Sequence, residues 1–543
     1  MNKGSEKLIP WLHLVVDMIE KELPIEPPYF ISFLKEPSLT LQLVDILDEL
    51  PDDPEHETFY SACIFGIDIA IVQLHSAQEA GHHRAKSQLD ELMDYLAQTM
   101  YKENHVLSFW LPILNAFYDL QIPLSNKLRA AYLTLVDASD EPITEEPEEH
   151  LDVIHSMLDE LSDLSAFDIA DNFFAQSYAM PVDFFSDLFL SLYHLDEGKE
   201  IALLLLIHPD PTVRKDISAL FNTIVYQLKL SSLSLSRLAL IKSWYPKILH
   251  DQFNEWIKHQ RRQQVVLSKP SPWTICDIKA TEVDGSGAQG VFIHIKHKRT
   301  HRICGLLFKY DIGIKDVWIT PEMKSSDIKQ YYQDAFDDNV TLREVDISYV
   351  LAMGGHFFAT MLEKNDVPGL HLLEIEELTG LYLVPDRLDI DTLIHQLEIE
   401  IIPFTPSEIE TSFKRSKAWL YSKAFTESWF IENTEVDKWV TRYSSIINGT
   451  KVCAIEDALE AVFTEVMEKM REKWLFHFLW MALWAKSGAK KNEKMWQDNF
   501  IIAHAIHSGT PLKMIPVLYE IGHQTVLNSI ETMEERRTYL YRE

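Results

Sequence analysis

The chain has 543 residues, 46% hydrophobic and 24% charged, with a formal net charge of −33. That composition excludes a disordered or fibrous protein, and the length allows two to four domains of the usual ~100–200 residues. Each is large enough to bury a core without metal or disulfide support. The charge is uneven: residues 1–200 hold 38 acidic and 10 basic side chains, whereas residues 201–302 hold 7 acidic and 15 basic. An N-terminal surface of this kind repels nucleic acid and acidic membranes, so polyanion contact is left to the middle of the chain.

Cys63, Cys276, Cys304 and Cys453 lie far apart and form no CxxC pair, which argues against a disulfide framework or a cysteine-rich zinc site and for a reducing compartment. The apolar stretch Leu12 to Val16 is broken by His13 and is too short for a secretory signal. Trp474 to Trp484 is shorter than the ~20 residues that cross a bilayer, and reads as a buried helix. A cytoplasmic protein without membrane contact is expected.

In chain order, Pro37-Ser38 opens a helix carrying Leu39, Leu43, Ile46, Leu47 and Leu50 at 3/4 spacing. Asp137 to His150 has two prolines and seven acids and predicts a linker. Leu151, Ile154, Leu158 and Leu161 resume the helical period. With only four of 17 glycines before residue 285, the N-terminal half reads as an array of helices joined by short turns.

At Ile201–Ile207 an apolar helix is followed by His208-Pro209-Asp210-Pro211-Thr212-Val213-Arg214 and a second apolar helix through Ile217, Leu220, Phe221 and Ile224. Asp210 and Pro211 are helix-starting residues, and Arg214 can reach back to carbonyls or acids of a neighbouring turn. The segment resembles the turn and second helix of a HEAT repeat, over about 30 residues (200–228). The resemblance implies an irregular stack of helical hairpins, because no second copy joins the Asp to the Val-Arg pair.

From Trp273 the period changes. Val291, Ile293 and Ile295 alternate with Phe292, His294 and Lys296, then Lys298-Arg299-Thr300-His301 turns into the apolar run Ile303–Phe308, which predicts a β-hairpin. A short strand follows near Val317–Ile319, then helices at Ser326–Phe336, Ile347–Glu363 and His371–Leu378, and a strand at Leu381–Val384. Ile455 to Lys486 reads as one long helix. The expected fold is mainly α, with irregular, solenoid-like helical-hairpin stacks flanking a small α+β domain. Its domains are 1–136 (acidic, helical), 151–272 (helical hairpins), 273–402 (α+β) and 403–543 (helical).

Gly285-Ser286-Gly287-Ala288-Gln289-Gly290 matches GxGxxG, but a dinucleotide site needs a helix after it and here a strand follows. Strands on both sides are the context of the kinase Gly-rich loop, with Lys309 placed like the phosphate-binding lysine, yet no HRD or DFG signature lies downstream. Two basic clusters are adjacent: Lys258, His259, Arg261 and Arg262, then Lys296, His297, Lys298, Arg299, His301 and Arg302. They can bind phosphate or nucleic acid, or dock on the acidic half of the same chain, the favoured reading. The candidate ligand-binding set is Gly285, Gly287, Gly290, Lys296, Lys298, Arg299, Arg302, Lys309, Arg261 and Arg262.

The Glu-x-x-His pairs Glu79/His82 and Glu520/His523 carry no weight as metal sites, and no metal or cofactor is assigned. Gly354-Gly355-His356 reads as close helix packing, and no nucleophile elbow or Cys-His signature is found. The expected role is a protein-interaction or adaptor function toward a partner with a basic surface. Nucleic acid is not expected on residues 1–200 and stays open for 258–302. The alternative is a nucleotide- or phosphate-ligand enzyme in the α+β domain, and no catalytic residue is named.

Overall fold

The computed structural model describes residues 5–541 except 22, 24–30, 35, 37, 52–55, 80–82, 103, 121, 123, 140–153, 156–157, 159–160, 162, 176–181, 197, 269–270, 337–339, 402–404, 422–428, 432–433, 448–449 and 489–492. Most of the expected linker, His82 and Leu151 therefore lie outside the described residues. The chain forms two compact units: residues 1–159 with 171–184, and residues 160–170 with 185–543. The second spans most of what the sequence divides into three domains.

The first unit is helical, with α1 (Ser5–Glu20), α2 (Ser38–Asp48), α3 (Glu57–Glu79), α4 (His83–Met100), α5 (Leu107–Asp119) and α6 (Asn126–Ser139) around one core. The 3/4 spacing seen in the sequence puts Leu39, Leu43, Val44 and Leu47 of α2 inside. The Gln73 amide holds the loop before α2 by accepting from Phe33 N (2.9 Å) and donating to Ile31 O (2.8 Å). Within α3, Glu57–Gln78 is long and apolar enough to cross a membrane, a property the sequence reading gave to no segment. Here it is a core helix, burying Ala62, Cys63, Ile67, Ala70, Ile71 and Leu74.

In the second unit, α7 (Lys199–Leu204) and α8 (Pro211–Ile224) flank the Asp-Pro turn. Asp210 caps α8 by accepting from Thr212 N at 2.7 Å, with Pro211 in the first turn. Arg214 is buried and donates to His208 O (2.7 Å), Pro209 O (2.6 Å) and Asn365 O (2.7 Å). One guanidinium thus satisfies three carbonyls that helix ends leave open. Further on, α9 (Ser232–Ile241) carries buried Arg237, which forks onto Glu377 at 2.7 and 3.2 Å and reaches Glu200 at 3.3 Å.

After α10 (His250–Arg262), five strands make an antiparallel sheet in the order β4-β3-β2-β1-β5: β1 Thr274–Thr281, β2 Ala288–His297, β3 Thr300–Lys309, β4 Gly313–Ile319 and β5 Leu342–Glu344. Alternation gives the sheet two different faces. Gln289, Val291, Ile293 and Ile295 face α12 (Ile347–Glu363) and α16 (Arg471–Lys486), where Phe357 meets Phe308 at 5.0 Å and Trp480 at 4.7 Å between ring centroids. Trp480 Nε1 donates to Gln289 Oε1 (3.0 Å) and Trp484 Nε1 to Ala280 O (3.1 Å). On the other face Phe292 meets Trp318, Tyr332 and Phe336, and Trp318 Nε1 donates to the Tyr331 hydroxyl (3.1 Å), at and beyond the end of α11 (Ser325–Ala335).

Three sequence expectations are corrected. No strand forms at Leu381–Val384: Leu383 N donates to the Glu376 carboxyl group (2.7 Å), so a side chain takes the place of a partner strand. Ile455–Lys486 is helical but not one α-helix, since α15 (Ile455–Val462) passes through a π turn at Phe463–Met467 and a 3-10 turn at Glu468–Met470 before α16. The hairpin turn is Lys298-Arg299 alone, since His297 pairs with Thr300 and Thr300-His301 already belong to β3.

Candidate functional site

The glycine-rich segment joins β1 to β2, with Gly290 already in the strand. Its polar groups are largely turned inward. Asp284 O accepts from Gly287 N (3.0 Å), and the Asp284 carboxylate accepts from Ala288 N (2.9 Å) and Ser286 Oγ (2.6 Å). Gly290 N donates to Thr281 Oγ1 at 3.0 Å. A carboxylate therefore occupies the place where a phosphate-cradling loop would offer free amides. Gly287 has φ +81°, and a Cβ there would lie 2.5 Å from His477 Nε2, so backbone conformation and close packing both demand glycine.

Lys309, opposite Ala288 at the end of β3, donates to Ser286 Oγ at 3.0 Å. A second lysine stands near it: half-buried Lys473 of α16, whose ammonium has no hydrogen bond or ion pair among the described residues. Burial lowers the Lys473 pKa, Lys309 lowers it further, and Asp311 and Asp284 oppose both effects. One turn on, His477 is fully buried beside Tyr310, Trp429 and Trp474, and neither ring nitrogen has a partner among the described residues. Burial holds that imidazole neutral, its pKa well below the usual histidine value.

The other sequence candidates lie elsewhere. Lys296, Lys298 and Arg299 are exposed around the hairpin tip, at the far end of β3 from Lys309, about 30 Å away at ~3.3 Å per residue. Arg302 points to the opposite face, donating to Thr320 O at 2.8 Å with Glu374 at 4.0 Å. Arg261 and Arg262 are exposed at the end of α10. The ten residues therefore do not form one site, and only Gly285, Gly287, Gly290 and Lys309 share a place. Gly354 and Gly355 lie against Leu383 and Val384 O, and His356 stacks on Phe476 at 4.7 Å, which is close packing as expected.

A cleft of about 420 Å³ lies beside the Asp-Pro turn, lined by Arg214, Trp244, Tyr245, Leu362 and Val367 among others. Sequence reasoning missed it, as it missed Lys473 and His477, because its walls come from segments over 100 residues apart. It also missed a cluster on the α11 face of the sheet, where Cys276, His294 and His301 bring their donor atoms within 4.8 Å of one another.

Two domain models match parts of the chain: the Y4lR second domain at residues 181–264 and the Y4lR C-terminal helical domain at residues 391–530. The sheet lies between them. Uncharacterized protein y4lR of Sinorhizobium fredii (strain NBRC 101917 / NGR234) is 25% identical over 303 residues, 54% of this chain and 55% of that protein. The match thus spans little more than half of the relative's length. No solved structure matches.

Proposed function

We propose that this chain is a protein-interaction component, acting in a reducing cytoplasm, whose acidic helical N-terminal region engages a partner with a basic surface. The carrying observation is the excess of 38 acids over 10 bases in residues 1–200. Five of those bases, Lys7, Lys21, Lys102, Lys127 and Lys199, are paired with Glu36, Asp17, Asp48, Asp94 and Asp196; each pair cancels one acid and leaves the net excess of acid unchanged. Helical surfaces of this charge steer and select oppositely charged partners. The HEAT-like reading of residues 200–228 supports the same role, through the Asp210 cap and the Arg214 contacts. Four unpaired cysteines agree with a reducing compartment. Replacing the acids of residues 137–200 by their amides is expected to abolish capture of the basic partner in pull-downs; undiminished capture would contradict the proposal.

A second reading, a site for a nucleotide or another phosphate-bearing ligand, is favoured by Lys309 and Lys473, the latter without a hydrogen bond or ion pair among the described residues, standing near each other beside the glycine-rich turn. It expects one of a panel of nucleotides and phosphorylated metabolites to raise the melting temperature, and Lys309→Ala and Lys473→Ala each to remove the shift. A flat panel would dismiss it.

A further inference from the structure

We propose that Cys276, His294 and His301 form a binding site for a zinc-class divalent transition metal. Three features of the sheet build it. Cys276 is the extra residue of a β-bulge: Ile275 pairs with Ile295 and Asp277 with His294, leaving Cys276 between them without a partner. Strict alternation would put Asp277 and Cys276 on opposite faces, and a bulge re-aims the side chain. His301 pairs with Lys296, two residues from His294, so the two imidazoles are diagonal neighbours on one face. Their rings lie 5.1 Å apart and nearly parallel, at 28°.

The third feature is orientation. Asp277 Oδ2 accepts from His294 Nδ1 at 2.7 Å, which fixes the tautomer and leaves Nε2 bare. That is the carboxylate-histidine arrangement which positions metal-binding imidazoles. The bare Nε2 meets His301 Nδ1 at 2.9 Å. Tetrahedral zinc with bonds of ~2.0–2.1 Å holds two nitrogens about 3.3 Å apart, so a metal would replace the shared proton with a ring movement of a few tenths of an ångström. One thiolate and two imidazoles suit zinc better than magnesium or calcium, which prefer oxygen. Cys276 is exposed while His301 is buried, so the fourth position opens to solvent, as in sites with three protein ligands and an exchangeable water.

The competing chemistry is a thiol nucleophile served by His294 and Asp277. It requires Nε2 of His294 to face the sulfur, whereas the structure turns that nitrogen toward His301.

The test uses the full-length protein stripped with a chelator. Cobalt(II) is expected to bind with a thiolate-to-cobalt absorption band, displaced by zinc, and zinc is expected to protect Cys276 from iodoacetamide in peptide mapping. Cys276→Ser should lose the band, and His301→Ala should lose the protection. Asp277→Asn should keep the band while weakening zinc affinity about 10- to 100-fold. Cys453→Ser, the control for the other accessible thiol, should change nothing. Equal alkylation of Cys276 with and without zinc, or a band that survives Cys276→Ser, would overturn the proposal. If a histidine variant misfolds, Cys276→Ser, altered only at an exposed position, still decides.

Discussion

Glu376 is almost wholly buried, with one oxygen accepting from Leu383 N and the other without a partner among the described residues, and burial pushes its pKa up to about 8. The folded chain therefore keeps a proton that the unfolded chain releases above ~4.5, so stability falls as pH rises from there to about 8, by ~1.4 kcal/mol per pH unit at most. Glu376→Gln keeps the acceptor and removes the ionisation. It is expected to stabilise the protein at pH 8 and to do little at pH 4.5, measured by urea midpoints; an equal effect at both would contradict the assignment. Lys298 shows the opposite kind of local cost. Its φ of +55° at the first position of a two-residue turn is a conformation that glycine adopts freely. Lys298→Gly is expected to raise stability by roughly 1 kcal/mol in the same assay.

At the scale of elements, the Asp-Pro turn depends on one side chain. Arg214→Ala would leave the carbonyls of His208, Pro209 and Asn365 without their buried donor, and a loss of about 2 kcal/mol or more is expected in denaturant unfolding. That turn was legible because its cap, proline and arginine lie within five residues of one another. The β2–β3 hairpin and helices α11, α12 and α13 (His371–Thr379) were legible for the same reason, each carrying its own period. By contrast β5 has only three residues, too few to show alternation, and is specified by its pairing with Lys279–Thr281. The expected strand at Leu381–Val384 had the right composition but no neighbour to pair with. The sites divide in the same way: Lys309 and the glycine-rich turn are adjacent in sequence, whereas Lys473 and His477 arrive from over 160 residues downstream. The cluster of Cys276, His294 and His301 depends on a bulge and a strand register that no residue spacing announces.

For the whole molecule, buried histidines set the acid limb of stability. His208 and His356 are held neutral by burial, with pKa values lowered to about 4. As pH falls below ~6.5 the unfolded chain takes up protons that the folded chain refuses, so stability drops through the window from 6.5 to about 4. With Glu376 acting in the other direction, a stability maximum near pH 6.5 is expected; a flat profile between pH 4 and 6.5 would contradict it. The proposed role rests on the charge distribution of residues 1–200. Co-purification of the tagged full-length protein from its native cell, at low and moderate salt with mass spectrometry, tests that claim first. The expected result is a stoichiometric protein of basic surface, released by moderate salt and absent when the acids of residues 137–200 are neutralised. Retention of a nucleotide with no basic protein, or a partner indifferent to salt and to neutralisation, would contradict it.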